Sequence, residues 1–186
     1  MPILGEKPQP SGRSGARSPA VPTPHAALPR VAPARPKLRV DVSAALTTPS
    51  PDRPLQGGCL CGAVRYEITA PFVSAGYCHC TRCQRRTGTG SSANGRVPRA
   101  GFRLLGGSDQ LRAFKPSTGV PKLFCTVCGS ALFSGDPLSD PEVAVRLGTL
   151  DDDPGIRPSF RQFVAFAVPW EPMPDDGLER HAGARS

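Results

Sequence analysis

With 186 residues and 38% hydrophobic content, the chain has material for one ordinary domain. Its net charge of +8 permits weak contact with polyanions, but the basic residues are dispersed without interleaved aromatics, so nucleic acid is not the expected partner. No apolar run approaches a membrane span and no signal-peptide core opens the chain, while seven cysteines, an odd number grouped at ligand spacing, exclude an all-disulfide framework and point to a reducing cytoplasm.

Residues 1–54 hold twelve of the twenty-three prolines and none of the eleven aromatic residues. Such Pro/Ala/Arg-rich composition cannot bury enough apolar surface to offset ordering entropy, so a disordered arm is expected there. The folded domain is expected over residues 55–171, with a flexible tail at 172–186. It opens with Gly57, Gly58, Cys59, Cys61 and Gly62, followed by the alternation Val64, Tyr66, Ile68 against Arg65 and Glu67. That alternation is strand patterning, and two cysteines two apart on a strand present both sulfurs to one side. A strand over 72–77 then delivers Cys78, His79, Cys80 and Cys83.

Residues 84–90 are basic and turn-like. Short strands are expected at 91–97, 102–105, 110–114, 131–134, 142–147 and 160–168, separated by Gly, Pro and Asp turn residues. Between them Cys125-Thr126-Val127-Cys128-Gly129 reads as a metal-binding knuckle. Trp170 is expected to close the core. The fold class is mainly β, antiparallel, short-stranded and loop-rich.

The seven thiols divide naturally into four and three. Cys59, Cys61, Cys125 and Cys128 would satisfy a structural zinc completely, clipping distant parts of the chain together. Cys78, Cys80 and Cys83 would hold a second zinc with one position open, the condition for a catalytic metal. Arg82, Arg85 and Arg86 lie beside these three and are candidate contacts for substrate carboxylates. Two alternatives stay open: His79 as a fourth ligand of the second ion, and a Cys59-Cys61-Cys78-Cys80 grouping. Asp151, Asp152 and Asp153 read as a solvated turn; His25 and His181 read as bystanders.

The motifs Gly58-Cys59-Leu60-Cys61-Gly62, Cys78-His79-Cys80-Thr81-Arg82-Cys83 and Phe124-Cys125-Thr126-Val127-Cys128-Gly129 resemble the glutathione-dependent formaldehyde-activating enzyme family, the domain named also for centromere protein V. Leu147-Gly148-Thr149-Leu150-Asp151-Asp152 and Pro169-Trp170 fit its later part. The resemblance implies a β-tent fold similar to Mss4-like zinc proteins. It also implies two zinc ions divided as above and a carbon–sulfur lyase that joins glutathione to formaldehyde as S-(hydroxymethyl)glutathione. The implied partners are a small thiol and a small aldehyde. Many members carry histidine where this chain has Arg161. The rival reading is a non-enzymatic zinc-binding interaction module whose basic arm engages an acidic partner.

Overall fold

The structure, a computed structural model, describes residues 48–185. Its strands are β1 (Leu55–Gly58), β2 (Arg65–Ile68), β3 (Ser74–Cys78), β4 (Ser92–Pro98), β5 (Phe102–Gly106) and β6 (Leu111–Phe114). They continue with β7 (Lys122–Cys125), β8 (Ala131–Ser134), β9 (Glu142–Arg146), β10 (Phe160–Gln162) and β11 (Glu179–His181); α1 spans Thr81–Thr87. A three-stranded sheet runs β1-β2-β5, and an eight-stranded sheet runs β11-β10-β3-β4-β9-β8-β7-β6.

The core lies between the two sheets because each contributes one apolar face. Val64, Tyr66 and Ile68, on and just before β2, meet Phe133 of β8 and the paired Val97 and Val143 of β4 and β9; all six are at most 1% exposed. The Tyr66, Phe102 and Phe133 rings lie 5.1–5.6 Å apart, two contacts edge-on and one stacked. Each fully buried side chain of this size contributes about 1.5–3 kcal/mol relative to exposure. The Tyr66 hydroxyl is satisfied by Thr149 Oγ1 at 2.7 Å, as a buried phenol requires. Strand alternation then places Glu142, Ala144 and Arg146 on the other face of β9, where they line a pocket.

Several expectations need correction. Residues 84–87, expected as part of a turn, belong to a helix over 81–87: Cys80 caps it, its sulfur accepting from Cys83 N–H, and Gly88 ends it in the left-handed conformation at φ 69°. Seven residues carry too weak a period to be read from sequence. The large sheet is not wholly antiparallel, since β10 runs parallel to both β3 and β11. The connections 147–159 and 163–178 are long enough for such crossovers. Trp170 is 67% exposed and closes no core. The last residues of the expected arm form a turn in which Ser50 and Arg53 exchange backbone hydrogen bonds of 3.1 Å, and residues 1–47 lie outside the described residues.

The expected flexible tail is instead folded back as β11. Arg161 is 7% exposed and requires a counter-charge. Asp176 supplies it, accepting from Nη2 at 2.6 Å and from Nε at 3.2 Å, while the guanidinium stacks 4.5 Å above the Tyr77 ring. Phe163 N–H also donates to Gly183 O at 2.8 Å.

The hydrogen bonds from Arg161 hold the Asp176 carboxyl below its ordinary value of 3.8. A depressed folded-state value means that this anchoring is complete above that pH and is lost as pH falls through the lower value. Asp176→Asn is therefore expected to accelerate amide hydrogen exchange at residues 179–181 near neutral pH and, by leaving the buried Arg161 without its counter-charge, to lower the thermal midpoint of the domain. Unchanged exchange would show that the ion pair does not hold the tail.

Candidate metal centres and the adjoining pocket

Cys59 and Cys61 sit not on a strand but in the turn joining β1 to β2, because β1 ends at Gly58. The turn is built around sulfur: Cys59 N–H donates to Val64 O at 3.1 Å, and Val64 N–H donates to Cys59 Sγ at 3.2 Å. Cys125 ends β7, and Cys128 follows in a knuckle where Gly129 N–H returns to Cys125 O at 2.9 Å. Gly129 has φ 73°, a conformation that side chains other than glycine rarely tolerate. The Ser130 hydroxyl ties the two turns together, lying 3.2 Å from Cys128 Sγ and accepting from Leu60 N–H at 3.0 Å.

The sulfurs of Cys59, Cys61, Cys125 and Cys128 all lie within 4.8 Å of one another. Burial, reinforced by hydrogen bonds to neighbouring sulfurs, pushes the Cys61 thiol up to about 12, and burial also raises Cys125. At Cys128 burial acts in the same direction but is outweighed by hydrogen bonds led by Ser130, leaving it at about 6. Four soft donors in one volume with no carboxylate among them fit a thiophilic metal ion.

Cys78, Cys80 and Cys83 form the second cluster, again within 4.8 Å. Cys78 ends β3, Cys80 caps α1, and Cys83 lies on the inward side of its first turn. Cys78 and Cys83 are 6% and 5% exposed, whereas Cys80 is only partly buried. The hydrogen bond with Cys78 lowers Cys83 to about 4, aided by the charge of Arg146; the same bond and burial raise Cys78. Cys83 is thus the more acidic thiol of the pair.

Arg146, unremarked in the sequence, is the principal electrostatic partner of this cluster. It is 5% exposed, with Nη2 3.8 Å from Cys83 Sγ and Nη1 2.6 Å from Ser92 Oγ. Nη1 also donates to Asn94 Oδ1. Strand parity could place Arg146 with Ala144 and Glu142, but not identify that face as the one toward the thiols. Lys122 is a second missed cation. It is partly buried, which lowers its pKa, while the negative charge of Cys83 raises it; its ammonium makes no hydrogen bond or ion pair among the described residues.

A cavity of about 350 Å³ opens over the three-thiol cluster, lined by Cys78, Cys80, Cys83, Lys122 and Arg146 among others. None of the four other cysteines lines it. Of the three candidate arginines, Arg82 lines this cavity and donates to Thr118 O and Oγ1. Arg85 lines not this cavity but an adjoining cleft beside Phe114 and Phe124, which shares Arg82 and Lys122 with it. Arg86 also borders that cleft, but donates to Leu123 O and Ser134 Oγ.

His79 is not brought into either thiol group. Its Nε2 lies 3.4 Å from Arg161 Nη1, on the face of β3 that carries Tyr77 rather than Cys78. Burial and the charge of Arg161 both lower its pKa. The three consecutive acids are not gathered around a cation site: Asp151 pairs with Arg65 and Asp153 with Arg157 at 2.8 Å. His25 lies outside the described residues, whereas His181 lies on β11, its ring centroid 6.3 Å from that of Phe160.

The model of the glutathione-dependent formaldehyde-activating enzyme family matches residues 54–165. A Halomonas elongata protein, whose name carries the same description in provisional form, is 28% identical over 89 residues, covering 45% of this chain and 57% of its own length. The aligned region thus spans little more than half of that relative. A crystal structure of a Rhodobacter sphaeroides protein is 25% identical with a TM-score of 0.44, covering 55% of this chain and 91% of that one. Among the described residues no helix is long and apolar enough to cross a membrane.

Proposed function

The chain belongs to the glutathione-dependent formaldehyde-activating enzyme family, and from that premise we propose that it is a two-zinc carbon–sulfur lyase joining a thiol such as glutathione to formaldehyde or another small aldehyde. The observation that carries this reading is the difference between the two thiol clusters. Three thiols, one of them partly exposed, floor a cavity, whereas the other four lie outside it. Cys59 Sγ and Cys61 Sγ are 3.4 Å apart, and Cys61 Sγ and Cys125 Sγ 3.8 Å. A tetrahedral ZnS₄ centre with bonds of about 2.3 Å has edges of about 3.8 Å. Two sheets joined at such a site suit the β-tent architecture, and seven free thiols suit a reducing cytoplasm.

A zinc ion held by Cys78, Cys80 and Cys83 would supply Lewis acidity and an open position suited to a thiolate. The surrounding residues set the conditions for addition. Arg146, held by Ser92 and Asn94, lies against the Cys83 sulfur, where its charge adds to the Cys78 hydrogen bond in favouring the thiolate. Lys122 leaves an unpaired positive charge at the cavity wall, where alkoxide character develops on the aldehyde oxygen. In the addition a sulfur–carbon bond forms, the carbonyl π pair moves to oxygen, and the oxygen takes up a proton equivalent to the one lost by the thiol. No observation among the described residues favours a non-enzymatic module.

Metal-edge absorption should find two zinc ions per chain, one gaining a sulfur neighbour when glutathione is added. Exchange spectroscopy with ¹³C-formaldehyde should then give adduct formation faster than the spontaneous reaction. Two metals indifferent to thiols, with rates at background for every thiol and aldehyde tried, would overturn the proposal.

A further inference from the structure

The matched family region ends at residue 165, yet the thiol cavity is lined also by Ala184 and Arg185. These residues reach it because β11 continues the large sheet beside β10, which in turn pairs with β3. Their placement has several independent supports. Arg185 N–H donates to Gln162 Oε1 at 3.3 Å, and Gln162 is paired with Cys78 across β10 and β3. Phe163, also on the cavity wall, has φ 58°. A bulky residue adopts that conformation only where its surroundings enforce it, and its N–H is held by Gly183.

The guanidinium of Arg185 lies 4.5 Å above the Phe160 ring. Phe160 in turn fills the space left by Gly76: a Cβ there would fall 2.4 Å from the ring. Stacking on an aromatic face fixes the guanidinium plane and leaves its edge N–H groups available for a planar acceptor. It forms an exposed ion pair with Glu179, 3.8 Å from Nε, a contact too long for a hydrogen bond, so its terminal N–H groups are not engaged by that acid. The Phe160–Gly76 pair lies two residues along the strands from the Gln162–Cys78 pair, a distance of about 7 Å. A thiol held at the cysteine end would place a carboxylate one peptide unit away at the height of Arg185.

We propose that Ala184 and Arg185 form part of the substrate pocket and that Arg185 recognises a carboxylate of an anionic thiol. This rests on the thiol-binding reading above and extends it to a segment outside the family match. It makes Arg185 a specificity residue rather than a catalytic one. Glutathione, with two carboxylates, fits this chemistry; its neutral diesters do not.

The test is calorimetric binding of S-methylglutathione to the full, zinc-loaded chain. This ligand lacks a free thiol and reports recognition apart from chemistry. Arg185→Ala is expected to weaken binding about 10- to 100-fold, and Arg185→Lys to restore only part of it. The diethyl ester should bind weakly and equally to wild type and R185A. In turnover, R185A should raise KM for glutathione while kcat stays level. Equal affinity of wild type and R185A for S-methylglutathione would overturn the inference, as would a wild type that does not prefer the acid over the ester. If R185A lowers the affinity while wild type shows no turnover, the lyase reading fails and this one stands; turnover with glutathione unaffected by R185A does the reverse.

Discussion

Cys125→Ser is expected to abolish the cooperative thermal transition of the domain, and a strong chelator applied to the wild type should do the same. Cys125 is fully buried at the end of β7 in the large sheet. Its sulfur partners Cys59 and Cys61 lie in the turn between two strands of the small sheet. An ion shared by these residues fastens one sheet to the other across the aromatic contact of Tyr66 and Phe102 with Phe133. Structural zinc contributes an apparent ~10–16 kcal/mol in small folded units, comparable with the ~5–15 kcal/mol total stability of an ordinary domain. A serine hydroxyl is a poor ligand for a thiophilic ion and would leave a buried polar group unpaired. Three strands with half a core cannot offset that loss. A C125S protein melting within a few degrees of wild type would show that this cluster does not hold the fold.

The second large effect is opposite in kind. Cys80→Ser is expected to lower thiol-dependent turnover by about 10³-fold or more, about 4 kcal/mol of transition-state stabilisation, with only a small shift in melting temperature. The reason lies in the position. Cys80 caps α1, with its sulfur 3.4 Å from Cys83 N–H, and serine is among the preferred residues at a helix N-cap. The substitution therefore keeps the cap while removing a soft ligand. Of the three thiols, Cys80 is the one only partly buried, so an oxygen in its place leaves little desolvated surface unpaired. If C80S were to unfold with C125S, the division into a structural and a reactive centre would be wrong. If C80S kept full activity, the three-thiol cluster would not be the reactive centre.

The three cysteine motifs and most strands were legible in the chain itself because both depend on local rules. Spacing along the backbone marks the motifs, but the meeting of Cys59 and Cys61 with Cys125 and Cys128, rather than with Cys78 and Cys80, comes about only in the fold. Alternation of apolar and polar side chains has a fixed period of two, so Ala131–Ser134 and Glu142–Arg146 emerge nearly at their expected bounds. The shortness of α1 hid it, since two turns offer too few positions to display a helical period.

Tertiary structure alone decided which charges meet which sulfurs. Arg146 lies 63 residues from Cys83, and nothing local marks it; only the pairing of β9 with β4, and of β4 with β3, turns that face toward the thiols. Arg82, Arg85 and Arg86 all border one cleft, yet of the three only Arg82 also reaches the cavity over the three thiols. The tail joined the domain for a non-local reason as well. A buried Arg161 has no acid near it in sequence, and the carboxylate that neutralises it, Asp176, is brought in only when the chain crosses back to lay β11 beside β10. A short-range pattern specifies an element and its faces, whereas the partner of a buried charge is chosen by whatever the fold packs against it.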